Sequence, residues 1–223
     1  MDAWKHASAF FLLAFPALLS ILNPLGGAFL FLAATRGVSP ALRERLARWV
    51  AIHSFILLNA SLWVGAYVLQ FFGISMPVLR VAGGIVIGLS AWKLLSAGEE
   101  GDTVGLELPD VGEASRIAFF PLTMPITAGP GTISVAIALG TQRGSAVDDI
   151  AVFALGATVT TTLICAIVYV AYRSSQGLSR IVGPTGTAIF VRLSAFLLFA
   201  MTFVVNTLAE IVRLRLRKRY RYA

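Results

Sequence analysis

Hydrophobic positions along this chain gather into six long runs separated by short polar or charged segments. They extend from about Ala7 to Thr35, Trp49 to Phe72, Pro77 to Leu95, Ile117 to Gln142, Ile150 to Tyr172 and Gly186 to Ala209. Only the third and the last contain an internal lysine or arginine. A helix crossing ~30 Å of hydrocarbon needs about 20 apolar residues, and each run is close to or above that length. The pattern predicts an all-α integral membrane protein of six transmembrane helices. The first run, about 28 residues long, exceeds the ~7 to 15 residues of a signal-peptide core and is read as a span.

Composition agrees with the pattern. Apolar residues make up 57% of the 223 and charged residues 13%, with a mean hydropathy of +0.83; a water-facing domain carries about 25% charged residues. Carboxylates cluster: Glu99, Glu100, Asp102, Glu107, Asp110 and Glu113 share one segment, and Asp148 and Asp149 another. The single cysteine, Cys165, excludes a disulfide framework and a Cys/His metal site, so no resident metal or cofactor is expected. A net charge of +7 would suit nucleic acid, but the cations stand at helix margins and in loops, where the positive-inside rule puts them. The expected surroundings are a lipid bilayer, with no nucleic-acid partner, and nothing in the sequence speaks for a homo-oligomer. Orientation is evenly poised. Lys5, Arg143 and the six cations of the tail fall on one side; Arg36, Arg43, Arg45, Arg48, Lys93, Arg116, Arg173 and Arg180 fall on the other. The arginines that follow the first span favour an outside amino terminus.

The chain resembles itself at an offset of 105: Phe15, Pro16 and Gly26 fall over Phe120, Pro121 and Gly131, with Pro24 and Pro130 one position out of register. Phe72-Gly73-Ile74-Ser75 lies over Gln176-Gly177-Leu178-Ser179 at offset 104, and Arg80 and Arg192 follow each. Matches that recur in order across two sets of three spans suggest duplication. Because three is odd, the second copy enters from the opposite side, giving an inverted repeat of the kind found in many secondary transporters. The single membrane domain, 1–223, thus divides into repeat 1 (1–96), an acidic linker (97–115), repeat 2 (116–212) and a basic tail (213–223).

Helix breakers occupy the middle of the first and fourth runs, as Asn23-Pro24-Leu25-Gly26-Gly27 and as Pro125-Ile126-Thr127-Ala128-Gly129-Pro130-Gly131-Thr132. Proline removes a backbone donor and glycine admits non-helical conformations, so helices 1 and 4 are predicted to be broken mid-membrane. Unwound backbone at that depth must be buried in protein or line a cavity. The half-helix resuming after each break directs free N–H groups and a positive dipole end inward, which suits a carboxylate; the half ending there offers carbonyls. Asn23, Pro24, Gly26, Gly27, Thr127, Gly129, Gly131, Thr132 and Ser134 are therefore the candidate binding residues, for a small zwitterionic substrate. Packing alone is the competing explanation of small residues and kinks. With no Asp or Glu in mid-span, coupling to sodium through carbonyls, Asn23, Thr127, Thr132 or Ser134 is the alternative to a proton relay. His53, Asn59, Arg80 and Arg192 are candidates for a gate or for polar support, against interhelical hydrogen bonding for the first two and snorkelling for the arginines. No nucleophile and base, and no ligand cluster, lies at depth, so an enzyme is not expected.

These motifs resemble the MarC family of prokaryotic inner-membrane proteins. The residues that carry the likeness are Asn23-Pro24-Leu25-Gly26, Phe72-Gly73-Ile74-Ser75, Arg80-Val81-Ala82-Gly83-Gly84, Pro121-Leu122-Thr123-Met124-Pro125 and Ala128-Gly129-Pro130-Gly131-Thr132-Ile133. The resemblance implies a six-helix carrier or exchanger of small neutral amino acids such as glycine or alanine, working by alternating access in the cell inner membrane. A non-transporting membrane accessory or assembly protein is the alternative. The heavily basic tail and the Arg-bearing start of the sixth span depart from the family pattern.

Overall fold

The computed structural model describes residues 2–75, 78, 114–141 and 147–199. The third run apart from Val78, Arg80 with it, nearly all of the acidic linker and the basic tail lie outside the described residues. Within them, regular structure is helical throughout. Helices α1 (Asp2–Leu22) and α2 (Pro24–Ala34) make up the first run, and α3 (Pro40–Trp63) with α4 (Gly65–Phe71) the second. Helix α5 (Ala114–Ile117), a widened stretch over Ala118–Thr127 and α6 (Pro130–Gly140) form the fourth. Helix α7 (Val147–Arg173) is the fifth, and α8 (Ser175–Phe199) holds the first part of the sixth.

Three segments are long and apolar enough to cross a membrane: Ala7–Ala34, Pro40–Trp63 and Asp149–Arg173. Ala118–Thr127 with Pro130–Gly140, bent by 71°, makes a fourth if the pair counts as one span. The six-span count and the inverted repeat reach beyond the described residues.

Local chemistry sets the boundaries. Helix α3 starts nine residues before the charge-free run does, because Ser39 caps it, its Oγ accepting from the Leu42 N–H at 3.3 Å, and Pro40 fills the first helical position, where its missing N–H costs nothing. Its early arginines then ride on the helix instead of preceding it. Arg43 is buried, and its guanidinium donates to the Thr35 hydroxyl at 3.1 Å and to the Thr35 and Val38 carbonyls at 2.8 and 3.2 Å. A cation on the orphan carbonyls at the end of α2 completes its dipole, worth up to ~2 kcal/mol when partly buried. The arginine counted among the topogenic charges thus also clamps a helix end. Helix α8 turns at Gly183 (φ 77°, ψ 173°), a left-handed position that glycine takes without strain. The Thr187 hydroxyl closes the turn on the Gly183 carbonyl at 2.7 Å.

The core forms around α7. Phe153, Ala157, Thr160, Ile164, Val168 and Tyr172 recur every three to four residues and are all buried, one face of a 3.6-residue helix. Against that face pack Ala14, Leu18 and Leu22 of α1, Phe31 of α2 and Leu46, Val50 and Leu58 of α3. Phe153 joins the layers, its ring 4.9 Å from Phe10 and 5.1 Å from Trp63, edge to face in both. On the opposite side of α7, Leu155, Val159, Leu163 and Val170 are exposed, as expected of a helix whose outer solvent is lipid. Lipid tails leave no hydrophobic drive between helices, so close approach and interhelical hydrogen bonds hold the bundle. Gly140 meets the backbone of Leu62 so closely that a Cβ would collide with the carbonyl. The Asn59 amide donates across from α3 to Thr161 of α7 at 3.1 Å. At one end of the bundle Arg173 pairs with Glu44 at 3.3 Å.

Candidate functional site

The first break occupies a single residue. Asn23 precedes a proline, which disfavours the right-handed helical region for it, and it adopts the left-handed region (φ 44°, ψ 66°) that asparagine tolerates better than most residues. Its side chain then caps the new helix: Oδ1 accepts from the Gly26 N–H at 3.2 Å, while its carbonyl accepts from the Gly27 N–H at 2.8 Å. Both glycine amides read as free donors for a substrate carboxylate are thus engaged by Asn23. Gly26 has the Asn23 amide and the Ser194 hydroxyl of α8 against the space a Cβ would fill. Phe29 stacks on Phe190 at 4.9 Å, so α8 covers this end of α2.

The second break is longer and built from a tandem motif. Phe120-Pro121-Leu122-Thr123 is followed at once by Met124-Pro125-Ile126-Thr127, each an X-Pro-aliphatic-Thr unit. The residue before each proline is extended, Phe120 at φ −127°, ψ 122° and Met124 at φ −114°, ψ 118°, as the proline ring demands. The prolines withdraw two N–H donors, and the threonines supply hydroxyls in their stead: Thr123 donates to the Ala118 carbonyl and Thr127 to the Leu122 carbonyl, each at 2.7 Å. The Ala128 N–H closes a third five-residue turn on the Thr123 carbonyl at 2.8 Å. The widened stretch thereby engages the Ala118, Leu122 and Thr123 carbonyls.

Helix α6 then opens at Pro130 with Gly129 as its cap, a residue with no side chain to offer. Gly129, Gly131 and Thr132 are buried. Among the described residues, the Gly131 and Thr132 N–H groups meet no backbone or side-chain acceptor. The Ser134 hydroxyl turns back onto the Gly131 carbonyl at 2.8 Å. Among the described residues this is a buried helix N-terminus without a side-chain cap, with partial positive charge and two donors that meet no acceptor.

Tyr172 brings the two breaks together. It is wholly buried on α7, its ring stacked 4.7 Å from Phe31 and its hydroxyl 2.8 Å from the Thr127 hydroxyl. The same oxygen lies 2.5 Å from where a Cβ on Gly27 would stand. Gly27 and Thr127 thus flank one hydroxyl, although 100 residues separate them in sequence.

The remaining predicted residues scatter. His53, half-buried on α3, has its ring 5.6 Å from Phe119 and 5.5 Å from Trp49, and its buried Nδ1 is without a partner among the described residues. It faces the start of the widened stretch, not the amides at its end. Asn59 bonds α7 through Thr161, away from both breaks. Arg192 is exposed on α8. Sequence reasoning missed Tyr172, Ser194 and Thr123; only for Thr123 was there a local signal, the duplicated X-Pro-aliphatic-Thr unit.

A family model described as MarC family integral membrane protein matches residues 8–212. The chain is 34% identical over 205 residues to the UPF0056 inner membrane protein MarC of Escherichia coli O1:K1 / APEC, covering 88% of this chain and 92% of that one. It is 31% identical over 212 residues to a UPF0056 membrane protein of Archaeoglobus fulgidus, covering 94% and 97% respectively. No solved structure matches the chain.

Proposed function

The chain belongs to the MarC family of integral membrane proteins, and from that premise we propose that it is a secondary carrier or exchanger of small neutral amino acids such as glycine and alanine. The observation that carries this reading is the N-terminus of α6, whose buried Gly131 and Thr132 amides meet no acceptor among the described residues, at a 71° bend between apolar segments. A carboxylate satisfies both donors and the helix dipole together, and unsatisfied donors at membrane depth cost several kcal/mol each. The glycines at 129 and 131 let main chain approach a ligand closely. Thr127 and Tyr172 add hydroxyls beside the bend. Gly27, beside the same Tyr172 hydroxyl, would bring the first break to the site as a wall, with its amide and that of Gly26 already engaged by Asn23. Small walls and neutral hydroxyls favour a compact zwitterion over a bulky or multiply charged substrate.

The names of the Escherichia coli relatives place those proteins in the inner membrane, and this chain is assigned to the corresponding prokaryotic cell membrane. Alternating access would follow from rocking one repeat against the other, the bent span and α7 both belonging to the second. Sodium, held by carbonyls near the bend, is the proposed coupling ion.

Uptake or exchange of labelled glycine and alanine in proteoliposomes tests the reading. Gly131→Leu places a branched side chain over the open amides and is expected to lower flux about 100-fold or more while the protein still elutes as a folded species; loss of two hydrogen bonds to a charged group accounts for such a factor. Normal flux in Gly131→Leu would sink the site. The same vesicles in sodium-free buffer test the coupling, and unchanged flux there removes sodium.

A further inference from the structure

The Thr127–Tyr172 contact has a direction that a proton count decides. A hydroxyl carries one hydrogen, and that of Thr127 already goes to the Leu122 carbonyl at 2.7 Å. At 2.8 Å from Tyr172 it can therefore only accept. The phenol donates to Thr127 and Thr127 donates to Leu122, a chain of two bonds in which each polarises the next. It runs from a fixed ring into the tandem-proline stretch.

The ring is fixed on every side that matters. Its residue is wholly buried and its face is stacked on Phe31 of α2. Its hydroxyl occupies the space left by the missing Cβ of Gly27, with ring atoms at 3.2 and 3.3 Å from the same point. The hydroxyl cannot move toward α2 unless α2 shifts. The segment it holds has the opposite character, since its three five-residue turns and two extended residues leave it few ordinary helical bonds to keep its shape.

We infer that Tyr172 is a positioning residue of the substrate site: its hydroxyl anchors Thr127, and through it the bend that presents the Gly131 and Thr132 amides, to α2 and α7. Its meaning for transport rests on the carrier reading; the anchoring itself does not. Phenylalanine at 172 keeps the ring and its stack and removes only the donor, while Thr127 retains its bond to Leu122.

The experiment places a reporter cysteine at Ala128, the residue that ends the widened stretch, in a Cys165→Ala background, and measures its rate of reaction with a maleimide in the purified full-length protein. Tyr172→Phe is expected to speed labelling about fivefold, the size of one neutral hydrogen bond. In parallel, the KM for glycine should rise by a similar factor with the maximal rate little changed. A tyrosine that served packing alone would lower thermal stability and leave both unmoved. Equal labelling rates with and without the phenol oxygen overturn the inference. Should Ala128→Cys fail to fold, Ile126→Cys reports on the same stretch. Faster labelling in a protein that moves no amino acid keeps the anchor and discards the carrier; equal labelling in one that moves glycine normally does the reverse.

Discussion

Helices α2 and α6 are each 11 residues long and each begins at a proline after a break, yet the two breaks treat their backbone differently. At the first, one asparagine turns left-handed and caps the amides behind it. At the second, ten residues widen, the residues before two prolines extend, and the cap is a glycine whose carbonyl takes the Ile133 N–H but which has no side chain to take an earlier amide. A helix start with a built-in side-chain acceptor has fewer donors left to offer. One without an acceptor, buried, is a place for an acceptor to arrive. The contrast divides two sequences that look alike on paper into a support and a candidate site, and every test below either widens or closes that gap.

Gly27→Ala makes the two breaks collide. The new Cβ would stand 2.5 Å from a phenol oxygen that is held by Thr127 and has no exposed surface into which to retreat. Overpacking of this kind costs about 1–3 kcal/mol, seen as a lowered unfolding midpoint in detergent, and it should impair flux by displacing Thr127. Adding Tyr172→Phe removes the colliding oxygen and leaves ring carbons at 3.2 and 3.3 Å. The double variant is therefore expected to regain part of the stability lost by Gly27→Ala, a coupling between neighbours. If the two losses simply add, Tyr172 does not join the breaks.

Asn23→Ala probes the support. A side chain with a Cβ and no polar group keeps the left-handed penalty of about 1–2 kcal/mol and forfeits a cap worth about 1 kcal/mol. The expected outcome is a fall in thermal stability of that combined order, with the residual flux per folded molecule unchanged. Undiminished stability would mean that Asn23 is not the cap its geometry describes.

How much of this was legible beforehand depends on whether the cause was local. Both breaks could be placed from prolines and glycines, because those residues act on the backbone where they stand. Asn-Pro even carried the information for a left-handed cap, since the proline excludes one conformation and asparagine tolerates the other, but a capping amide and a ligand amide have the same letter. The tandem Phe-Pro-Leu-Thr and Met-Pro-Ile-Thr was equally in view; what hid its meaning is that the threonines replace lost donors only in a widened helix. The start of α3 was misplaced for a different reason, because charge-free runs mark what lipid accepts, whereas Ser39-Pro40 marks where a helix can begin. Gly183-Pro184, likewise, signalled the turn inside α8, which the run from Gly186 simply passed over. The offset repeat matched Pro24 with Pro130, both first in their helices, but it also matched Pro16, inside continuous α1, with Pro121 in the widened stretch. Aligned letters do not ensure aligned conformations. Tyr172 and Arg43 had no local signal, since what each does is set by residues 45 and eight positions away.

Asn23→Gly is the finest of the tests, because it separates conformation from chemistry at one position. Glycine enters the left-handed region without penalty, and replacing a capping side chain by glycine costs only a few tenths of a kcal/mol. If Asn23 serves the fold alone, the glycine variant should unfold within a degree or two of the parent and carry glycine and alanine at the parental KM, in contrast to Asn23→Ala. Losing the Asn23 amide also uncovers the Gly26 N–H, so the first break comes to resemble the second, with a helix start whose donor is open. Should flux collapse in a variant of parental stability, the Asn23 side chain contacts the substrate or its coupling ion, and the two breaks share the work of binding. Should flux persist while affinity for a carboxylate-bearing ligand rises, the uncovered amide has become a second donor, and capping is what makes the breaks unequal.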